Sequence, residues 1–115
     1  MGKDSTVVTV ISKTPSPESD SREACLVVIN GVDLGKKYSL VQSSTLIGRS
    51  SKDDIQIDED SISRNHAIIE TREGEFVIRD LESTNGTYVN DRPIRSHSLR
   101  DGDQIKIGST IFKFL

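Results

Sequence analysis

Between residues 26 and 115, short apolar runs alternate with turn residues at a spacing of roughly 8 to 12 residues. No stretch sustains the 3.6-residue apolar period of a helix. Segments 26–29, 37–40, 45–48, 67–71 and 75–80 read as strands, as do 87–89, 104–107 and 110–115. Ile55 and Ile57 alternate around Gln56. Asn30-Gly31, Glu73-Gly74, Asn90-Asp91 and Gly108-Ser109 supply turns between these runs. A chain punctuated this often has no room for βαβ crossovers, so the pattern predicts an all-β, antiparallel sandwich.

Composition changes near residue 24. Residues 1–24 are rich in Ser, Thr, Pro and charge, centred on Thr14-Pro15-Ser16-Pro17. Such a segment buries too little apolar surface to offset its ordering entropy, and is expected to be a flexible tail. Its one strand-prone run is 6–11, Thr6-Val7-Val8-Thr9-Val10-Ile11. Residues 25–115 are then a single domain by length.

Net charge is −3, which argues against non-specific binding to nucleic acid or an anionic membrane. No apolar run is long enough to span a bilayer. Cys25 is the only cysteine and leads into an apolar strand, so it reads as a core thiol in a reducing, cytoplasmic setting. With two histidines and one cysteine, no metal site is expected, and no cofactor. The acidic residues from Asp53-Asp54 to Asp58-Glu59-Asp60 lack the Gly-turned spacing of a calcium loop and read as solvated.

Chemistry concentrates in Gly48-Arg49, Ser63-Arg64-Asn65-His66, Ser83-Thr84-Asn85-Gly86-Thr87 and Asn90. These supply a guanidinium, hydroxyls, an amide and glycine turns on loops between strands. The set suits capture of a dianionic phosphate. It lacks an activated nucleophile with its base, a glycine-rich phosphate loop ending in Lys-Ser/Thr, and a Gly-x-Ser-x-Gly elbow, so no enzyme is expected.

In this order and spacing, the motifs of 26–115 resemble those of the forkhead-associated (FHA) domain family. The resemblance implies a β-sandwich of about eleven strands that binds phosphothreonine peptides through loops at one end. It implies phosphopeptide contacts from Arg49, Ser63, Arg64, Thr84 and Asn85. Ser63 would offer its hydroxyl and its backbone N–H, and Asn85 would bond the peptide main chain. Gly48, His66, Gly86, Thr87 and Asn90 would support the site, with His66 buried and shaping the Ser63 loop. Ser61-Ile62 and Asp91-Arg92 would flank the third residue after the phosphothreonine.

The partner is expected to be a phosphothreonine protein, made by an upstream Ser/Thr kinase, or the chain's own tail. Thr14 is the first candidate for phosphorylation, then Thr9 and Thr6, because a tethered ligand acts at near-millimolar effective concentration. The chain is expected to be the N-terminal regulatory domain of a larger signalling protein, such as a diguanylate cyclase or a kinase-pathway regulator. The alternative is a phosphate-independent scaffold or oligomerisation domain.

Overall fold

The computed structural model describes residues 23–115, and the expectations placed on Thr6, Thr9, Thr14 and the run 6–11 lie outside the described residues. Eleven strands follow in chain order. They are β1 (Cys25–Asn30), β2 (Lys37–Ser39), β3 (Ser44–Gly48), β4 (Ile55–Gln56), β5 (Ala67–Arg72) and β6 (Glu75–Asp80). Then come β7 (Thr87–Val89), β8 (Arg92–Ile94), β9 (Ser96–Ser98), β10 (Gln104–Ile107) and β11 (Thr110–Phe114). One sheet has the order β9-β6-β5-β3-β4 and the other β2-β1-β11-β10-β7-β8. Neighbours are antiparallel except for the parallel pair β3–β4, which makes the first sheet mixed.

The core follows the period-2 pattern of the strands. In β10, Ile105 and Ile107 are buried while Gln104 and Lys106 face water. In β11, Thr110, Phe112 and Phe114 point inward. From the facing sheet come Ile47, Ala67, Ile69 and Ile78, all within the same buried cluster. Each fully buried Val, Leu, Ile or Phe contributes about 1.5–3 kcal/mol relative to exposure, so this interdigitated layer holds the two sheets together. Cys25 belongs to the buried set, as its apolar context predicts. Its backbone exchanges two hydrogen bonds with Leu115, which ties the first strand to the end of the last.

Two strands, β8 and β9, go beyond the sequence pattern. Both are edge strands, polar and mostly exposed, and β8 contains Pro93. Proline is tolerated there because an edge strand has one side free of ladder bonds. The Asn30-Gly31 signal opens a longer loop, 31–36, closed by Gly35 N–H to Val28 O (2.8 Å) and Lys36 N–H to Asp33 O (2.9 Å). Gly31 and Gly35 both have positive φ, at 125° and 90°, which gives the loop its two reversals.

Strand registers sort the connections into two ends. Loops 31–36, 49–54, 57–66, 81–86 and 108–109 emerge at one end, and turns 40–43, 73–74, 90–91 and 99–103 at the other.

Candidate functional site

Three loops at the first end meet around Arg49. Arg49 follows β3 and its backbone N–H donates to Ser63 O at 3.1 Å. Its Nε donates to Ile62 O at 2.9 Å. One edge of the guanidinium is therefore fixed to the 57–66 loop. Among the described residues, no hydrogen-bond partner takes its two terminal nitrogens. The third loop joins through Thr84, whose N–H donates to Ser63 Oγ at 3.0 Å. Thr84 and Arg64 are exposed. The Arg49 guanidinium and the Ser63 and Thr84 hydroxyls thus belong to three loops tied together by these bonds, and they are donors of the kind a phosphate dianion takes.

What fixes these loops is mostly carboxylate and imidazole inside the protein. His66 is fully buried. Its Nδ1 accepts the Ser63 N–H at 3.0 Å, so Nε2 carries the proton and donates it to Gly86 O at 2.8 Å. The imidazole therefore pins the Ser63 loop to the Gly86 loop and takes no part in nucleophile activation. It also uses the Ser63 backbone N–H, so the expectation that this N–H faces the phosphate is corrected: the loop curls over His66 and directs it inward. The hydroxyl remains.

Asp80, at the end of β6, accepts Ser83 Oγ (2.6 Å), Ser83 N–H (3.2 Å) and Thr87 Oγ1 (2.7 Å). Burial opposes its ionisation, but these bonds from Ser83 and Thr87 outweigh burial and hold its carboxyl below the ordinary value. Ser83 Oγ in turn accepts the Gly86 N–H at 2.9 Å, and Gly86 takes φ 86° to complete the turn. Thr87 is buried and structural. Sequence reading did not single out Asp80. Its signal is the Asp-x-x-Ser spacing, in which a carboxylate reaches back-to-back N–H and O–H donors three residues on.

Asp53 does the same between the first two loops. Its Oδ2 accepts Ser50 N–H (3.0 Å) and Asn65 N–H (3.2 Å). A Cβ on Gly48 would fall 2.3 Å from that oxygen and 2.6 Å from Asn65 N, so Gly48 is required for close approach and not for a positive φ. Asp53 Oδ1 is buried without a hydrogen-bond partner. Asp54 accepts Leu46 N–H at 2.8 Å. Glu59 accepts Ser61 Oγ (2.8 Å) and Ser109 N–H (2.8 Å). Burial works against the Glu59 charge, yet hydrogen bonds from Ser109, Ser61 and Thr110 hold its carboxyl below the ordinary value. The reading of 53–60 as solvated holds for Asp54, Asp58 and Asp60, which are exposed, and is corrected for Asp53, which is buried, and Glu59, which is half-buried; both accept backbone or hydroxyl donors.

Asn85 is exposed, and its Nδ2 donates to Ser61 O at 2.8 Å, which bridges two loops; among the described residues Oδ1 takes no hydrogen bond. Asn90 is brought elsewhere. Its Nδ2 donates to Asp103 Oδ1 (2.9 Å) and its Oδ1 accepts Gln104 N–H (3.0 Å), at the opposite end of the sandwich. The expectations that Asn90 supports the site and that Asp91-Arg92 flank a bound peptide are overturned. Strand β7 carries the chain from Gly86 to the far end before Asn90 is reached.

A family model described as FHA domain matches residues 45–108. The chain is 44% identical over 92 residues to a Corynebacterium efficiens protein named oxoglutarate dehydrogenase inhibitor, covering 80% of this chain and 65% of that one. It is 41% identical over 95 residues to the glycogen accumulation regulator GarA of Mycolicibacterium smegmatis, covering 83% and 60%. The chain thus spans about two-thirds or less of these relatives. Among solved structures, one from a study of phosphothreonine-dependent FHA domain interactions superposes with a TM-score of 0.75 at 31% identity, covering 81% of this chain and 95% of that one.

Proposed function

This chain belongs to the FHA domain family of phosphothreonine-binding modules, and from that premise we propose that Arg49, Ser63, Arg64, Thr84 and Asn85 form its phosphopeptide contacts. The observation that carries this reading is Arg49: its Nε is bonded to Ile62 O and its backbone N–H to Ser63 O, and the Ser63 hydroxyl in turn accepts the Thr84 N–H, so the three motif loops are tied together. The terminal nitrogens grip two phosphate oxygens, the hydroxyls donate to the remainder, and Asn85 Oδ1 accepts from the peptide main chain. Arg64 adds a solvated charge at the rim. The pocket positions no base against a nucleophile, so it holds the phosphate and leaves it intact.

The bound segment is a phosphothreonine on a regulated protein or on this chain's own residues 1–24, made by a Ser/Thr kinase in the cytoplasm. The two relatives are named as an inhibitor and a regulator, which supports a regulatory module. Ninety-two matched residues make up 65% of the first, so that protein has only about 140 residues. A diguanylate cyclase beyond the domain therefore finds no support in it.

The test is calorimetric titration of the full chain with peptides around Thr6, Thr9 and Thr14, each with and without phosphate, followed by a phosphothreonine peptide library. Binding that requires the phosphate and Arg49 is the expected result. Binding indifferent to both would replace this reading with the phosphate-independent scaffold.

A further inference from the structure

Among the described residues, five large hydrophobic side chains are exposed, and three of them, Ile29, Val32 and Leu34, fall within six residues of one another. Val32 is 83% exposed and Leu34 68%. They stand on the 31–36 loop, whose backbone is closed on itself and on β1 by the Gly35–Val28, Lys36–Asp33 and Val28–Lys36 hydrogen bonds. A single exposed aliphatic residue is ordinary surface. Two on a braced loop, with β1 carrying a third at its root, form an apolar projection that a floppy loop would fold away.

The projection is continuous with the phosphate-binding loops. Asn85 bonds Ser61 O, and Ser61 bonds Glu59. Glu59 bonds Ser109, and Asn30 Nδ2 donates to Ser109 O at 3.1 Å. A Cβ on Gly108 would lie 2.8 Å from Ile62 and Ser61, and one on Gly31 would lie 3.1 Å from Thr110. These contacts run unbroken from Asn85 to Asn30, two residues before Val32, at the same end of the sandwich.

We propose that Val32 and Leu34 are a second contact surface of the phosphopeptide site, and that their occupant is the Val7–Ile11 stretch of this chain when phosphorylated Thr14 is in the pocket. The inference rests on the phosphate reading above. The occupant is chosen by chemistry and reach. Val7, Val8, Val10 and Ile11 are the concentrated aliphatic residues of the first 24. They lie three to seven residues before Thr14, a reach of about 10–25 Å in extended chain, whereas Thr9 sits among them and leaves no such separation. The apolar flank and the phosphate then bind as one ligand, and the affinity is the product of both contacts.

The experiment uses the full chain, unphosphorylated, and synthetic peptides of residues 5–17 phosphorylated at Thr14. One peptide has the natural sequence and the other carries Val7→Ser, Val8→Ser, Val10→Ser and Ile11→Ser. Each is titrated into the parent and into the Val32→Ser/Leu34→Ser variant, with melting curves to verify folding. The expected result is a loss of about tenfold from either change alone and little further loss from both, the signature of one shared contact. The Ser-rich phosphopeptide should still bind the parent and fail against Arg49→Ala, which isolates the phosphate reading. Equal affinity of parent and variant for the natural phosphopeptide would overturn the proposal while leaving that reading intact. So would losses that simply add, or a concentration-dependent dimer abolished by the variant, which would assign the surface to a second copy. Failure of both phosphopeptides would overturn the proposal, and the phosphate reading would then stand or fall on the phosphothreonine library.

Discussion

The two ends of the sandwich are built with the same device and to opposite effect. At the far end Asp103 accepts Arg100 N–H at 2.9 Å and Asn90 Nδ2 at 2.9 Å, with His97 Nε2 at 3.6 Å. A backbone N–H, a side-chain amide and an imidazole gathered there all turn to one carboxylate. At the loop end Asp53, Asp80 and Glu59 accept only backbone N–H and hydroxyl groups. No acid pairs with Arg49 among the described residues. The difference teaches that a binding site here is a local surplus of donors, kept open because the acids that could neutralise it are occupied with holding the loops.

The sharpest way to break that comparison is Arg49→Ala. It removes two charge-assisted hydrogen bonds to the phosphate, each worth about 1.5–3 kcal/mol, so phosphothreonine peptide affinity should fall at least about 100-fold, while loss of the Nε bond to Ile62 O should lower the melting temperature by a few degrees and leave the chain folded. Calorimetry beside a thermal melt checks both halves. His66→Phe comes next and should separate scaffold from contact. It keeps a flat aromatic ring, somewhat larger than imidazole, but strands the Ser63 N–H and the Gly86 carbonyl, at about 1–3 kcal/mol each. Urea unfolding should show a stability loss of about 2–4 kcal/mol, and peptide affinity should drop with it.

Asn90→Ala is the control from the opposite end. Losing its two bonds to Asp103 and Gln104 should cost about 1–2 kcal/mol of stability and leave peptide affinity within about twofold. A tenfold loss of affinity would show that the ends are coupled.

The smallest effect is on the acid limb of stability. Asp80 and Asp103 have folded-state values held below the ordinary 3.8, and Glu59 below 4.5. A group lowered in the folded state stabilises above its unfolded value, and that contribution is lost as pH falls through the folded one. Stability should therefore decline as pH drops below about 4, and Asp80→Asn should flatten the decline as seen by denaturation at stepped pH.

Strands with one buried face were legible, because alternation is written in the residues themselves, as in Gln104-Ile105-Lys106-Ile107. The edges β8 and β9 were not. They bury little, so Arg92-Pro93-Ile94 and Ser96-His97-Ser98 carry no apolar period and are strands only because a neighbour's ladder receives them. At the site, Arg49, Ser63, His66 and Thr84 were named from motifs, and the structure brings all four together. Asn90 stands four residues after Gly86, but strand rise of about 3.3 Å per residue moves it roughly 10 Å or more away, to the other end. Asp53 and Glu59 depart from the solvated reading for a related reason. Composition counts a carboxylate as solvated, and only the fold shows which N–H groups reach it.

Cys25 gives the molecule a built-in clock. It is the single thiol of the chain, 5% exposed, and its backbone is tied to Leu115 at the far end. A thiol reagent reaches the sulfur more readily when that end of the sandwich parts, so the labelling rate reports on the opening of β1 from β11 without any introduced probe. Labelling that is slowed by bound phosphopeptide would mean that occupancy of one end is felt as rigidity at the other.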